Sequence, residues 1–251
     1  MNQELILAIK NIIIKAGHIA LDEREAGIKV DIKDDSSPVT NADKKISQFI
    51  FDNLSKLTPE IPIICEERPL VDIDSNGKFW LIDPIDGTRS YIKNKDSFTV
   101  NIALIDNQIP TYGFVFQPAK ELLYFTDENT KFCIEKSGVL STNNTHNKDG
   151  FVAVVSSHHL SQQTADYIKA QDFAEIIAIP SSIKLCMVAE GAGDIYPKFG
   201  PTMERDIAAG DALIRASGGE VRLISGELMP YAKDAFKNPH FIASNKRWVE
   251  N

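Results

Sequence analysis

Apolar residues near the start of the chain recur at three- and four-residue spacing. Leu5, Ile6, Ile9, Ile12, Ile13 and Ala16 share one face, so residues 5–25 are expected to form an amphipathic helix packed on a core. A Gly- and Asp-rich stretch follows over residues 27–38. A second helix is expected from Thr40, with Ile46, Phe49, Ile50, Leu54 and Leu57 on one side. Two short apolar runs, 61–65 and 79–82, read as buried strands, the second ending at Asp83. Beyond Phe98, strand-like runs over 98–105, 111–116, 121–125 and 131–135 alternate with turn residues such as Asp106-Asn107 and Asp127-Glu128-Asn129. Connections this short imply an antiparallel meander.

Residues 141–150 are polar and contain Asn143-Asn144 and Asp149-Gly150, which mark the best boundary. The rhythm then changes. Strands are expected at 151–155, 175–179 and 220–224, and helices at 161–171, 182–190 and 206–217, the last ended by Gly218-Gly219. The expected organisation is an α+β domain over 1–145, with an antiparallel sheet, and an α/β domain over 146–251.

Composition narrows the function. A chain of 251 residues with 43% hydrophobic content can bury a substantial core. Its net charge of −8 argues against a face for nucleic-acid polymers, which needs many cations on phosphates. A small phosphorylated ligand stays open, because a bound divalent cation reverses the local sign. Cys65, Cys133 and Cys186 form no Cys-x-x-Cys pair, so neither a zinc ribbon nor a disulfide framework is indicated. Free thiols suit a reducing cytoplasm. The N-terminus lacks a basic leader pattern, and the apolar stretch 5–14, broken by Lys10 and Asn11, is too short to span a bilayer. Peripheral attachment to the inner membrane face and the choice between monomer and homodimer stay open.

The chemistry lies where acids meet strand ends. Glu66 and Glu67 follow the run 61–65, Asp83 follows 79–82, and Asp86 is three residues on. If the two strands lie side by side, Glu66, Asp83 and Asp86 converge and repel one another unless a cation neutralises them. Oxygen ligands without His or Cys select Mg²⁺ or Ca²⁺. Pro84 makes a turn that can aim the Ile85 carbonyl at the same ion. Gly87 and Thr88 then open a helix whose free N–H groups suit a phosphate. An aspartyl-phosphate mechanism of the haloacid dehalogenase type needs a nucleophilic Asp two residues before a second Asp. Pro84 occupies that position, so the spacing disfavours it.

Glu66-Glu67, the string Asp83-Pro84-Ile85-Asp86-Gly87-Thr88, and Asp206-Ile207-Ala208-Ala209-Gly210 together resemble the lithium-sensitive, magnesium-dependent phosphomonoesterases of the inositol monophosphatase superfamily. Ser37-Pro38-Val39-Thr40-Asn41-Ala42-Asp43, residues 98–105, Ser181-Ser182-Ile183-Lys184 and residues 188–202 look most like its bacterial 3′(2′),5′-bisphosphate nucleotidases of sulfur assimilation. The resemblance implies a layered α-β-α-β-α sandwich. It also implies hydrolysis of 3′-phosphoadenosine 5′-phosphate to AMP and phosphate by metal-activated water. An inositol-phosphate or sugar-phosphate phosphatase is the alternative within the class, and a non-catalytic metal-binding protein the alternative outside it.

Carried over residue by residue, one Mg²⁺ takes Glu66, Asp83 and the Ile85 carbonyl, and a second takes Asp83, Asp86 and Asp206, with a third ion open. Asp43 and Thr88 resemble the catalytic, water-orienting pair. The substrate-contacting set is Glu66, Ile85, Asp86, Gly87, Thr88, Lys184 and Asp206. Local alternatives stand beside these roles: Asp43 as part of a capping box with Thr40, Asp206 as a helix N-cap, and Lys184 as a solvated lysine. His158-His159 read as surface, and Trp80 and Trp248 as packing. Two positions depart from the family pattern. Arg205 stands where Trp usually precedes the third-block Asp, and Arg89-Ser90 where Lys-Glu usually follows Gly-Thr. Neither is expected to touch a ligand.

Overall fold

The computed structural model describes residues 1–33, 37–141, 149–158 and 160–249. Helix α1 (Gln3–Ala26) starts at Asn2, whose side chain accepts the Leu5 N–H, and stops at Gly27 with φ of 109°. The hairpin of β1 (Val30–Ile32) and β2 (Pro38–Thr40) leads into α2 (Asn41–Leu57), capped by Thr40. The apolar faces of α1 and α2 pack on each other and on one face of a seven-stranded sheet. That sheet contains β3 (Ile63–Cys65), β4 (Lys78–Asp86), β5 (Thr99–Asp106), β6 (Ile109–Gln117), β7 (Leu122–Thr126), β8 (Phe132–Lys136) and β9 (Val139–Ser141), in chain order. Pairing is antiparallel except for β3 beside β4, which is parallel. The short helix α3 (Thr88–Ile92) sits between β4 and β5.

The second half contains β10 (Phe151–Ser156), α4 (Gln162–Lys169), β11 (Phe173–Ile179), α5 (Ile183–Ala189), β12 (Ile195–Lys198), α6 (Glu204–Ala216), β13 (Glu220–Leu223), β14 (Phe241–Ser244) and α7 (Lys246–Val249). Its mixed sheet runs β11-β10-β12-β14-β13. Alternation along β10 sends Val154 inward toward α5 and α6, and Ala153 and Val155 outward toward Ile168 of α4. The layers are therefore α1/α2, first sheet, α5/α6, second sheet, α4, which is the expected α-β-α-β-α sandwich. The boundary expected at 145/146 lies outside the described residues. The two sheets fall on either side of it, yet one apolar core joins them: Phe79, Ala103 and Val115 of the first sheet meet Leu185, Ala209 and Leu213.

Several edges differ from the sequence reading. Strand β4 does not stop at Asp83 but continues to Asp86. Strands β1, β2, β9, β12 and β14 and helix α7 have no counterpart in the sequence reading; β12 contains Pro197, which argues against a strand when only the sequence is read. Trp80 is fully buried, and Trp248 packs against Phe151 and Phe173, both as expected. Among the described residues no helix is long and apolar enough to cross a membrane.

The seat of α6 depends on Gly113 in β6. A Cβ there would lie 2.2 Å from the Ala209 carbonyl oxygen and 2.9 Å from Ala212 Cβ. Only glycine lets helix and strand come this close. Gly113→Val is expected to destabilise the protein by about 1–3 kcal/mol in urea unfolding, through forced separation of α6 from the sheet. An unchanged midpoint would contradict this seating.

Candidate active site

In a regular strand, residues three apart point to opposite faces. Asp83 and Asp86 are three apart, yet both line one cleft. The register explains this. Asp83 pairs with Asn101 and Asp86 with Thr99, so β4 carries one extra residue against β5. This β-bulge contains Pro84, which has no N–H to give a ladder. Pro84 therefore marks a bulge within the strand, where the sequence reading had placed a turn after it. The bulge returns Asp86 to the face of Asp83. The Ile85 side chain between them is buried in the α1/α2 core, while Ile85 also borders the cleft.

Parallel pairing supplies the next acid. Cys65 lies beside Ile82, and the Glu66 N–H donates to the Ile82 carbonyl at 3.3 Å, so Glu66 emerges next to Asp83. Asp206 comes from the other half of the chain, in the first turn of α6. It is the third helical residue there, not the N-cap. Its Oδ2 accepts the Met203 N–H at 2.7 Å. Glu66, Asp83, Ile85, Asp86 and Asp206 thus border a single cleft of about 340 Å³, large enough for a small ligand.

The cluster is electrostatically strained. Asp83 is 3% exposed, and its Oδ1 is buried with no hydrogen-bond partner. Burial raises its carboxyl well above the usual range, and the charges of Glu66, Asp86 and Asp206 push the same way. Burial raises Asp206 to about 7, against the pull of Arg205 and with the push of Asp86. Its side chain keeps 30% exposure to the cleft, which moderates that push. Burial also works to raise Glu66, but the charges of Arg205 and Lys33 more than offset it and leave that carboxyl lowered. Among the described residues no three side chains already close on one point as a finished metal cage. Their oxygens are turned instead to protein donors. Arg205 Nη2 lies 3.2 Å from Glu66 Oε1, Lys33 Nζ 2.9 Å from the same oxygen, and the Ser182 hydroxyl donates to Asp86 Oδ2 at 2.5 Å. An all-oxygen set with an orphaned buried carboxylate oxygen fits a hard divalent cation.

The expected Asp43–Thr88 pair is not joined by a direct hydrogen bond. Asp43 Oδ2 accepts from the Thr40 N–H (2.8 Å) and hydroxyl (2.6 Å), completing the capping box. The Thr88 hydroxyl donates to the Ile85 carbonyl at 2.9 Å. Asp43 is 2% exposed, and burial raises it to about 6. Gly87, at φ of 91°, opens α3, and a Cβ there would press on the Ser97 carbonyl and Ser181.

Lys184 is not a solvated lysine. It is 7% exposed, donates to the Ser181 carbonyl at 2.5 Å, and burial lowers it to about 8. Lys198 borders the same cleft and is also lowered by burial. Arg89 lines the rim. His158 is exposed at that rim, whereas His159 lies outside the described residues. The cleft therefore has an acidic floor and a basic wall.

Sequence reasoning missed four contributors. Lys198 had a usable signal, a lysine inside the apolar run of β12. Ser182 had none: its hydroxyl, whose one proton goes to Asp86, also lies 2.9 Å from the Asp206 carbonyl oxygen and accepts from Asn101 (2.8 Å), all distant in sequence. Lys33 likewise meets Glu66 only through the fold. Arg205, expected to touch no ligand candidate, pairs with one directly.

The inositol monophosphatase family model matches residues 1–251. The chain is 37% identical over 212 residues to a Salmonella typhimurium protein named 3′(2′),5′-bisphosphate nucleotidase CysQ, covering 83% of this chain and 86% of that one. The Escherichia coli K12 protein of the same name is 37% identical over 215 residues, covering 84% and 87%. Among solved structures, CysQ from Bacteroides thetaiotaomicron is 35% identical with a TM-score of 0.85, covering 98% of each chain.

The raised carboxyls generate a test of the metal-free protein. Asp83, Asp206 and Asp43 hold protons when folded at pH values where the unfolded chain, with carboxyls near 3.8, has released them. The folded state then binds more protons, so its stability falls as pH rises through about 4 to 7. Glu66 works in the opposite direction and only partly cancels this. Thermal melts in EDTA are expected to fall across that window and Mg²⁺ to restore them at its upper end. A melting temperature that rises with pH in EDTA would contradict the strained cluster.

Proposed function

The chain belongs to the inositol monophosphatase family, and from that premise we propose that it hydrolyses 3′-phosphoadenosine 5′-phosphate to AMP and phosphate, using Mg²⁺. Dependence on a divalent metal is general to the family. The observation that carries the substrate reading is the basic wall: a monophosphate ester needs only the acidic floor with its metal, whereas Lys184 and Lys198 add cations suited to a second, non-reacting phosphate. The curated relatives named as bisphosphate nucleotidases support the same reading.

Glu66, Asp83 and the Ile85 carbonyl would hold one ion, and Asp83, Asp86 and Asp206 a second. A third ion would take cleft oxygens and water. Bound ions supply acidification of the attacking water and neutralisation of phosphoryl charge. The chain's own groups do the rest. The Thr88 hydroxyl, fixed on the Ile85 carbonyl, helps orient the water. Asp43 is bound by Thr40 and is not among the residues that line the cleft, so in this reading it takes the water's proton only by way of Thr88. Gly87 and Thr88 offer N–H groups from the first turn of α3 to the transferred phosphoryl oxygens. The water oxygen bonds to phosphorus, the phosphorus–3′-oxygen bond breaks, and a proton from water completes the 3′-hydroxyl. Lys184 holds the 5′-phosphate throughout. Ser182 positions Asp86 across the two halves of the chain.

A cytoplasmic location belongs to this proposal, on the three free cysteines. No feature described above supports peripheral attachment to a membrane.

Phosphate release with Mg²⁺ should favour the bisphosphate nucleotide over inositol 1-phosphate and fructose 1,6-bisphosphate. Preference for either of the latter would overturn the substrate reading. Ser182→Ala should lower activity by about 10–100-fold, as loss of a ligand's supporting partner does. Asp86→Asn should lower it further while the protein stays folded by circular dichroism. Lys184→Met should raise KM for the bisphosphate by roughly tenfold or more, yet leave KM for a monophosphate nearly unchanged. Equal effects on both substrates would remove Lys184 from the second-phosphate site.

A further inference from the structure

Two protein cations already share one oxygen of Glu66. Arg205 Nη2 stands 3.2 Å from Glu66 Oε1, and Lys33 Nζ stands 2.9 Å from it. Their alternatives differ. Lys33 also holds Glu67 Oε1 at 2.5 Å, so it keeps a partner if Glu66 turns away. The other ion-pair partner of Arg205 is Asp206, with Nε 3.9 Å from Oδ1, and this Nε is buried without a hydrogen bond. Both ion-pair partners of Arg205 therefore belong to the acidic floor, one at the end of β3 and one on α6, and Asp83, a third carboxylate within reach of its charge, lies there too.

We propose that Arg205 is a positioning residue that acts as an internal counter-cation: it ties Glu66 to Asp206 in the metal-free chain and competes with the divalent ion for them. The inference rests on reading Glu66 and Asp206 as metal ligands. Two cations that draw on the same carboxylates weaken each other, and the effect is reciprocal. Arg205 thus keeps the two halves of the floor together before an ion arrives, and it sets the ion concentration needed for loading. As the ion enters, the guanidinium gives up its hold on Glu66, whereas Lys33 stays with Glu67.

The test is calorimetric titration of the full chain with Mg²⁺, together with melts in EDTA and in saturating Mg²⁺. Arg205→Met should bind Mg²⁺ roughly tenfold more tightly, the scale of an ordinary coupling between two competing cations. It should melt lower than wild type in EDTA, and that deficit should shrink in saturating Mg²⁺. Arg205→Lys, which keeps the charge, should stay close to wild type in affinity. Arg205→Gln should shift affinity in the same direction as Arg205→Met and serves where that variant does not fold. Unchanged or weaker Mg²⁺ binding without the charge would overturn the proposal. So would a melting deficit of the same size with and without Mg²⁺, which marks a purely structural residue. A wild-type chain that binds no Mg²⁺ would overturn both this inference and the metal reading. Wild-type binding that Asp83→Asn abolishes keeps the metal reading in place whatever Arg205 does.

Discussion

Carboxylates buried together repel, and this fold forces four of them into one cleft. Asp83 is the extreme case, enclosed by protein with an oxygen that no donor reaches. A folded chain reaches such an arrangement only if the rest of its packing over-determines it. Here several independent devices do so. The bulge at Pro84 turns Asp86 back beside Asp83. The parallel pairing of β3 with β4 delivers Glu66. The close seat of α6 on Gly113 holds Asp206 over the sheet. Each device lies in the apolar framework, so the hydrophobic core carries the electrostatic strain at its edge.

Within the chain that strain is met in part by cations and hydroxyls. Arg205 and Lys33 lower Glu66, and Ser182 serves Asp86, while Asp83 and Asp206 are left raised. Neutralisation is therefore uneven: it prevails at Glu66, whereas at Asp83 and Asp206 the pull of Arg205 is outweighed by burial and by the neighbouring carboxylates. The opposite wall has the reverse character. Burial lowers Lys184 to about 8, with Lys198 adding to that push and Asp86 opposing it. In the proposed reading a ligand with two separated phosphates would meet both, one phosphate at the metal on the floor and the other at the lysines of the wall.

The sequence made the floor legible because its acids follow apolar runs, and side-by-side strands bring such ends together. The capping box of Thr40 and Asp43 was equally readable, since it is a contact three residues apart. Other features were not. Pro84 read as the end of a strand because its missing N–H looks the same in a turn and in a bulge; only the pairing with Asn101 and Thr99 distinguishes them. Arg205 and Glu66 are remote in sequence, as are Lys33 and Glu66, and no local pattern announces such pairs. Lys184 read as either solvated or functional because its surroundings come from outside its own helix: its ammonium lies 5.4 Å from the centre of the Tyr196 ring of β12.

Proton release on metal binding tests the central claim most directly. If Asp83 and Asp206 are held protonated by burial and mutual repulsion, an arriving Mg²⁺ must displace those protons. Calorimetric titration at pH 7, repeated in buffers of different ionisation enthalpy, counts them. The account predicts release on the order of one proton per chain, shrinking as pH is raised above the window of the raised carboxyls. Mg²⁺ binding with no proton release at pH 7 would contradict it.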